Sequence, residues 1–562
     1  MAYRSTKRYE GEENIILSFD IGTTHSAVSF TYAYPGNFPE VCSVIKWPGQ
    51  PEASGDSKIS TIIAYQGGEA KYFGAEARDY LDDEEYQIAH WFKLRLHPES
   101  MRLEQSYGLN KLETPELPLG VSLLQVYADF IRYIYGMTKE FFTTNTPNGR
   151  HIWSRVEDRI SIVFCTPNGW DMFENAFIKD AAIKAGIVDP NTARRRLRFV
   201  TEGEASVHFA LAHTRTMDWL RPGILFAVMD AGGSTVDTTL YECQSKTPLV
   251  LKEACASACV QAGGVFIDCA LRDLLEHKLN GSEYCDPESI ALMTKRIFDR
   301  SQTSNVIHFG THKDNDKEYG IMRGKLALTH DEVESTFLEH LLLVGGFGES
   351  PYLRIQLKRI FVQRGTEVVT IEEPTSGAVI WHLTELVDSR AARFDYGIHA
   401  GVPYDKRLHG QDQSKCHLDL AGTKIVYIFH VIIPKGTSLN SSWRKALSQS
   451  TLYTSQPSTA TLGNIKDKLC AWQGKGPTPH VLEPDGTRPP GLVPILFFSA
   501  NLGQLFQTVQ CHYNFETRRA YWKLYFWIEF KFIEMQLSAR LMWMDEGTEY
   551  FGPATVMPAS KL

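Results

Sequence analysis

Residues 15–24 read IILSFDIGTT, and residues 224–237 read ILFAVMDAGGSTVD. Each stretch is an apolar run that ends at an aspartate and continues into a turn rich in glycine and threonine. Asp230 follows Asp20 by 210 positions, and a third apolar run, at 341–344, ends at Gly345 and Gly346. Two β-runs joined by a tight glycine-containing turn are typical of a hairpin. The repetition therefore predicts two similar halves, each of which contains such a hairpin.

The residues around these hairpins alternate between strand and helix patterns. Residues 121–142 carry apolar side chains at helical spacing, residues 161–167 form an apolar run ended by proline, and residues 174–185 predict a helix. This alternation indicates an α/β core. After about residue 400, polar stretches at 411–415, 438–450 and 474–490 predict loops between β-runs at 424–434, 492–499 and 521–532. We therefore expect an α/β domain over 1–400, with a second lobe from about 222, and a smaller β-rich domain over 401–562.

The composition narrows the class of partner and compartment. Hydrophobic residues make up 43% of the chain and charged residues 22%, as in an ordinary globular protein, and the net charge of -8 disfavours nucleic acid and anionic membrane as partners. The sequence has neither a membrane-spanning apolar run nor a secretory signal pattern, and its ten cysteines lack metal-site spacing. We expect a cytoplasmic protein. The alternative is peroxisomal, because the chain ends in Ser560, Lys561 and Leu562, which match a receptor-read import signal.

The two glycine-containing turns carry the residue types that a nucleotide phosphate tail requires. Glycine lets the backbone approach phosphate oxygens closely, and carboxylates hold the divalent metal that neutralises them. The candidates are Asp20, Gly22, Thr23 and Thr24 in the first turn, and Asp230, Gly232, Gly233, Ser234, Thr235 and Asp237 in the second. Ordinary acidic hairpins are the alternative interpretation of either turn alone, and their repetition favours a phosphate site.

The order of the motifs resembles that of the actin-like ATPase superfamily, and within it the seventy-kilodalton heat-shock chaperones. The resemblance covers about residues 15–385 and rests on FDIGTT at 19–24, TP at 166–167, TEGEA at 201–205, MDAGGSTVD at 229–237, GGVFID at 263–268 and VGGFGESP at 344–351. It implies a duplicated, ribonuclease H-like, two-lobed nucleotide-binding fold. It also implies ATP or ADP and Mg²⁺ as ligands, and a β-rich domain that follows.

The resemblance implies catalytic roles for Lys93, Glu202, Thr235 and Asp237. Lys93 matches the lysine that stabilises charge on the transferred phosphoryl group, and Glu202 matches the glutamate that positions metal and attacking water. Thr235 would lie at the γ-phosphate, and Asp237 would help to order Mg²⁺ and its water shell. A solvated surface lysine and a carboxylate at a helix N-terminus are the alternative interpretations of Lys93 and Glu202.

The remaining candidates are implied to bind the nucleotide or its metal. Those at the phosphates are Gly22, Thr23, Thr24, Gly232, Gly233, Ser234, Gly263 and Gly264; those around the adenosine are Lys295, Arg296, Gly345 and Gly346; and those that order Mg²⁺ are Asp20 and Asp230. A solvated helix face is the alternative interpretation of the Lys-Arg pair.

Three features depart from the family's pattern. Ser234 stands where the chaperones have a third glycine, and it would be strained if that position required a positive φ. Glu349 stands where they usually place an arginine against adenine, and the interval from Glu332 to Gly345 is too short for their additional long helix. These departures predict weak ATP binding or a poorly stable second lobe.

The resemblance implies an ATP-binding, ATP-hydrolysing, chaperone-type protein whose lobes close around nucleotide. Unfolded or extended peptides and co-chaperones would then be its partners. Two alternatives stay open: a small-molecule kinase of the same superfamily, in which a hydroxyl substrate replaces water, and a nucleotide-binding scaffold without turnover. The sequence shows no separate carboxylate motif typical of a base for a sugar hydroxyl, which disfavours the kinase.

Overall fold

The structure, a computed structural model, describes residues 3–266 and 340–557 together with positions 269, 272 and 276. Internal gaps fall at 6, 51–56, 99–100, 102–113, 171, 214–215, 346–347, 349–350, 363–366, 371–374, 385–386, 411–412, 441, 475–476, 483–488, 534–535, 546–547 and 553–554. The chain divides into two compact units, Met1–Val387 and Asp388–Leu562. Within the described ranges, no helix combines the length and apolar character needed to cross a membrane.

The first lobe is built on a seven-stranded sheet. Its central strands are β1 (Asn14–Ile21), β2 (His25–Ala33), β3 (Glu40–Ser43), β4 (Ser161–Thr166) and β5 (Leu197–Thr201). They lie in the order β3-β2-β1-β4-β5, with β2 antiparallel to its neighbours and β1, β4 and β5 mutually parallel. The apolar runs of β1 and β4 are buried almost throughout, as expected for parallel strands covered on both faces.

Three helices cover or extend this sheet: α1 (Leu123–Asn145), α2 (Met172–Lys184) and α3 (Glu202–His213). The hydroxyl of Ser122 caps α1 by accepting a hydrogen bond from the Gln125 N–H at 3.2 Å. The helix after β4 stops before Gly186, whose φ of +77° an L side chain rarely adopts. The helices predicted over 121–142 and 174–185 are thus confirmed.

The second lobe repeats the arrangement of the first. Its strands are β6 (Leu225–Ala231), β7 (Val236–Lys246), β8 (Leu249–Glu253), β9 (His340–Val344) and β10 (Glu367–Thr370). Their order is β8-β7-β6-β9-β10, with β7 antiparallel to its neighbours and β6, β9 and β10 parallel. Both predicted hairpins are therefore confirmed, and the two sheets share one strand order.

Two helices lie where the chain passes between the lobes. One side of α3 packs Val207 and Ala210 into the core of the second lobe. The helix α5 (Thr375–Thr384), which comes after β10 and the helix α4 (Pro351–Val362) in the chain, packs Ala378 and Val379 into the first-lobe core. The contact between α3 and α5 is close, because a Cβ added to Gly377 would collide with the carbonyl oxygen of Ala205.

Short elements complete the described part of this unit. The strands are Tyr3–Arg4, Lys58–Ser60, Ile62–Gln66, Glu69–Phe73, Gln87–His90 and Ala258–Val260, and the helical segments are Gly74–Ala77, Arg78–Tyr80, Phe92–Arg95, Gly149–Val156, Glu157–Arg159, Ala193–Arg196 and Thr216–Trp219.

The second unit is built mainly of two antiparallel sheets. One antiparallel sheet follows the order Cys416–Leu418, Lys424–Ile433, Asp395–Pro403, Ile465–Trp472, Leu492–Ala500, Thr555–Met557. The other follows the order Arg444–Tyr453, Arg519–Ile533, Gln536–Asp545, Thr548–Phe551, with Gln510–Asn514 also beside Arg519–Ile533. Strands Val387–Ala391 and Ser438–Asn440 pair with each other, and short helical segments lie at Lys406–His409, Gln413–Lys415, Thr459–Leu462 and Gly503–Thr508.

The loop predicted over residues 438–450 is wrong. The stretch forms the strand Ser438–Asn440 and most of the strand Arg444–Tyr453. Its polar side chains suit a strand at the edge of a sheet, where one side lies open to water. The buried apolar side chains of this pair of strands come from the neighbour, Arg519–Ile533. In that strand Phe526 and Ile528 are buried, while Tyr525 is 48% exposed.

Candidate functional site

The turns of the two hairpins, residues 22–24 and 232–235, meet between the lobes. Thr23 Oγ1 and Ser234 Oγ lie 2.6 Å apart and share a hydrogen bond. A Cβ added to Gly233 would lie 2.9 Å from Thr24 Oγ1, and one added to Gly22 would collide with the His25 carbonyl oxygen. Neither glycine has a positive φ. Left-handed backbone therefore explains neither glycine: Gly22 is required by close packing within its own hairpin, and Gly233 by the close approach of the other turn.

Ser234 is likewise outside the left-handed region, so the strain expected for a serine at this position does not arise. Its side chain is 2% exposed and lies within hydrogen-bond distance of two other side chains, Thr23 and His97. The Ser234 side chain therefore provides a buried polar contact within the site.

Residues 263–265 support the second turn through their backbone. Gly263 N–H donates to the Ser234 carbonyl at 3.1 Å, and Gly264 N–H donates to the Gly232 carbonyl at 3.1 Å. A Cβ on Gly263 would lie 2.5 Å from the nitrogen of Ser234. These N–H groups are therefore committed to the carbonyls of the turn, and contact between Gly263 or Gly264 and a phosphate stays a prediction.

Lys93 is held beside the turns by a short 3₁₀ helix, Phe92–Arg95. The preceding residue, Trp91, has a φ of +51°, a conformation that is uncommon for a bulky side chain. The Lys93 side chain is 4% exposed, which contradicts the surface-lysine interpretation. Its Nζ donates to Glu202 Oε1 at 2.9 Å and lies 5.5 Å from the centre of the Trp170 ring.

The charge of Lys93 is maintained against its burial. Burial alone would lower the pKa of the ammonium group, but the nearby carboxylates, Glu202 and then Asp20, outweigh that effect and raise it. Lys93 is therefore a fixed positive charge in the middle of an acidic site. Glu202, the first residue of α3, is its direct partner.

For the aspartates of the two hairpins, the shift in pKa favours the uncharged form. Burial, followed by the charge of Glu202, raises the pKa of Asp20 to about 6 and that of Asp237 to about 6. Burial and the same neighbouring carboxylates raise the pKa of Asp230 well above its ordinary value. Each group opposes ionisation of the others, because their negative charges share one poorly solvated region.

Asp237 is further constrained by Thr235 and by two residues that the sequence analysis missed, Asn168 and Cys259. The backbone N–H of Asn168 donates to Asp237 Oδ1 at 2.7 Å, and the side chains of Thr235 and Cys259 also favour its charged form. The second oxygen, Oδ2, is buried and meets no hydrogen-bond donor within the described residues. Asn168 comes two positions after Thr166 of the TP motif, so extending that motif would have found it.

This donor set fits a hard cation held largely through water. Among the residues that the structure describes, no three carboxylate, imidazole or thiol groups are close enough to enclose a metal ion directly. However, four carboxylates crowd the site, three of them with raised pKa values, and one buried oxygen has no donor. Hydrated Mg²⁺, which usually keeps several of its waters, would relieve this uncompensated charge.

Gly345 directly follows β9 and lies against Asp230 in the second lobe. It has a φ of +87°, and a Cβ there would collide with Asp230 Oδ1. Gly346, Lys295 and Arg296 lie outside the described residues. So do Glu349 and residues 332–339, on which the expectations about adenine contact and the missing helix depend.

His97 and Trp170 also belong to this site, although no motif pointed to them. Trp170 Nε1 donates to His97 Nδ1 at 2.9 Å, and His97 Nε2 lies 3.0 Å from Ser234 Oγ. Burial and the charge of Lys93 lower the pKa of His97 to about 3. The ring is therefore neutral at ordinary pH.

A mixed α/β protein in which two acidic, glycine-containing turns meet beside a buried lysine is compatible with the nucleotide-binding class of site. The chain is 23% identical over 319 residues to the Homo sapiens protein Heat shock 70 kDa protein 12B. The match covers 47% of this chain and 44% of that protein, so the chain spans less than half the length of this relative. No protein-family profile matches the chain. The match supports a relationship to the heat-shock protein 70 family.

Proposed function

We propose that this protein binds Mg·ATP between the two lobes and hydrolyses it, as a heat-shock-protein-70-like, chaperone-type protein. The observation that carries the proposal is the convergence of four carboxylates and Lys93 on two facing glycine turns. The shared strand order of the two lobes supports our assignment of the fold to the actin-like ATPase class. The relationship to the heat-shock protein 70 family agrees with both assignments.

The chain's residues suit the demands of phosphoryl transfer, which are positioning and charge stabilisation more than covalent help. The hydroxyl of Thr23 and the backbone of the turns would hold the phosphate tail. Lys93 Nζ, fixed by Glu202 Oε1 at 2.9 Å, would stabilise charge that develops on the transferred group. Asp237 Oδ2, buried without a donor in the described part of the chain, would accept a hydrogen bond from the attacking water.

Asp20, Asp230 and Asp237 would order Mg²⁺ and its water shell, and the cation would neutralise charge on the phosphate oxygens. In its absence these buried carboxyl groups retain protons more readily than ordinary aspartates, because burial raises their pKa values. Ionisation of the three groups and metal binding are therefore coupled.

The α3 helix provides a physical connection between the site and the lobes. Its first residue, Glu202, bonds to Lys93, while Ala205 packs in the first-lobe core and Val207 in the second. A movement at Glu202 would therefore alter the packing of both lobes. On this basis the proposal includes nucleotide-dependent lobe closure.

Nucleotide binding without turnover is the second candidate function. It is favoured by the direct Thr23–Ser234 contact, which the third glycine of the chaperones would not make. In this candidate the contact would hold the turns in a geometry that binds the nucleotide without aligning it for hydrolysis. This candidate differs from the first only in the rate of ATP hydrolysis, so one experiment separates them.

The decisive experiment is a calorimetric titration of the full chain with Mg·ATP, followed by incubation with γ-labelled ATP. Binding with release of labelled phosphate supports the first proposal, and binding without release supports the second. Label transferred to a metabolite panel would indicate the kinase alternative. A well-folded protein that shows neither heat nor a melting shift at saturating Mg·ATP overturns all three.

The proposal extends to extended peptides as partners of the β-rich unit. Phe515 is 84% exposed and Tyr513 51% exposed, which offers apolar surface beside a sheet. Fluorescence anisotropy of a labelled unfolded peptide with the full chain tests this. Phe515→Ser should weaken binding, and equal binding by wild type and variant would count against this surface.

A further inference from the structure

A buried line of hydrogen-bonded side chains connects Trp170 to Thr23. Trp170 Nε1 donates to His97 Nδ1 at 2.9 Å, His97 Nε2 lies 3.0 Å from Ser234 Oγ, and Ser234 Oγ lies 2.6 Å from Thr23 Oγ1. These four side chains belong to residues that are each 5% exposed or less. Water therefore does not compete for their hydrogen bonds.

The directions of the first two hydrogen bonds follow from the chemistry of the groups. An indole N–H is only a donor, so His97 Nδ1 must be the unprotonated nitrogen of the ring. The neutral ring then carries its proton on Nε2 and donates it to Ser234 Oγ. The buried Ser234 hydroxyl in turn has Thr23 Oγ1, at 2.6 Å, as acceptor for its own proton.

Thr23 is the last residue of this hydrogen-bonded chain. Either hydroxyl of the Ser234–Thr23 pair can donate; when Ser234 donates to Thr23 Oγ1, the Thr23 O–H is turned away from Ser234 and its proton takes no part in the hydrogen bonds within the chain. Thr23 lies in the first glycine turn, three residues after Asp20, so its remaining proton can be donated to a phosphate held between the turns as proposed above. A glycine at 234 would leave the Thr23 hydroxyl free to rotate and His97 Nε2 without this acceptor.

We propose that His97 and Ser234 are positioning residues that fix the Thr23 hydroxyl as a hydrogen-bond donor to a phosphate oxygen of the nucleotide. This inference rests on the proposed function, which it deepens by assigning the serine at 234 a role in phosphate binding. Neither residue donates to the phosphate itself. Their effect reaches the ligand through Thr23.

The test uses full-chain variants and two measurements, the Kd for Mg·ATP and the Tm of the ligand-free protein. Loss of one oriented neutral hydrogen bond weakens binding by about two- to tenfold. We expect this loss in Ser234→Ala and in His97→Leu. The double variant should bind no more weakly than Ser234→Ala alone, because both changes break the same line.

His97→Gln is the conservative variant. Its amide oxygen can accept from Trp170 and its NH₂ group can donate to Ser234, so it should restore most of the affinity that His97→Leu loses. The matched control is Thr138→Ala. Thr138 is fully buried and its hydroxyl donates to the Ile134 carbonyl at 2.7 Å within α1, away from the turns, so its loss should lower Tm and leave the Kd unchanged.

The outcomes separate this inference from the function on which it rests. Wild-type protein that binds no Mg·ATP overturns both. If the wild type binds Mg·ATP and folded Ser234→Ala has the same Kd, only the positioning role is overturned. The same holds if the losses of affinity add in the double variant. Failure of His97→Gln to bind better than His97→Leu overturns the role of His97.

Discussion

Asp230 and Asp237 lie directly opposite each other in the antiparallel β6–β7 pair, so their two carboxylates leave the same face of the sheet. Like charges at directly opposed positions destabilise a sheet. The corresponding position opposite Asp20 in the first hairpin is Ala27. The second lobe therefore places two of the site's carboxylates on one face of its sheet, and burial, followed by the charges of Glu202 and Asp237, raises the pKa of Asp230 well above its ordinary value.

Asp230→Asn should weaken Mg·ATP stabilisation and lower the rate of phosphate release by about tenfold or more, because an amide orders the metal poorly. The same change should leave the ligand-free protein as stable or more stable, since it removes a buried carboxyl with a raised pKa. Calorimetry, phosphate release and thermal melting check these two opposite effects. Asp82→Asn, at an exposed carboxylate of the same unit, is the control and should change neither.

The ligand-free protein should lose stability as the pH rises from about 4 to above 6. The pKa values of Asp20 and Asp237 are raised to about 6 in the folded state, so the folded protein binds protons more tightly than the unfolded chain. The stability contributed by their protonated forms is complete below about pH 4 and is lost as the pH passes 6. Each group contributes on the order of 1–3 kcal/mol.

Urea unfolding at a series of pH values measures this loss. Asp20→Asn and Asp237→Asn should each flatten the dependence between pH 4 and 6. Mg·ATP affinity should change in the opposite direction and increase through pH 6, because the cation requires ionised carboxylates. A stability that rises with pH over this interval, and that neither substitution alters, would contradict the assigned perturbation.

Lys93→Met should impair hydrolysis more than ATP binding, because the ammonium group is positioned for charge that develops during transfer. It should also destabilise the protein by about 3 kcal/mol, since Glu202 would be left buried without its partner. Lys93→Met with Glu202→Gln should recover most of the stability and none of the turnover. Equal losses in Kd and rate would make Lys93 a binding or structural residue.

Gly345→Ala should be strongly destabilising, and Gly223→Ala is its matched control. Both glycines have a φ of +87°, but a Cβ at Gly345 collides with Asp230 Oδ1 while one at Gly223 meets nothing within 4 Å. The control isolates the cost of left-handed backbone, about 1 kcal/mol. Denaturant unfolding should show at least about 2 kcal/mol of additional loss for Gly345→Ala. Similar losses in the two variants would mean that the turn moves to accept the methyl group.

The parts of the fold that the sequence predicted are those encoded by local patterns. The apolar runs of β1 and β6, each ended by an aspartate and a glycine turn, predicted both hairpins, and apolar spacing predicted α1. The strand Arg444–Tyr453 was missed because its own residues are polar. It is a strand because Arg519–Ile533, about 75 positions later, supplies the pairing partner.

The residues of the site fall into the same two groups, those that local motifs predicted and those that only the folded structure brings in. Asp20, Asp230, Asp237 and Lys93 lie in recognisable motifs, and the structure brings them together. His97 and Trp170 come from segments without a motif and reach Ser234 through tertiary contacts, which no pattern of spacing encodes. Strain at Ser234 was expected only for a positive φ, and since its φ is not positive the condition is not met.

The close contact of Gly377 with Ala205 has a mechanical consequence. One side of α3 packs in the second-lobe core and α5 packs in the first-lobe core, so the two helices touch where both lobes are anchored. In any rotation of one lobe against the other, the separation of backbones that are already in contact would change least, and the outer strands would move furthest. A bulky residue at 377 would push α3 and α5 apart, so under the proposed function it would weaken the link between nucleotide binding and lobe movement.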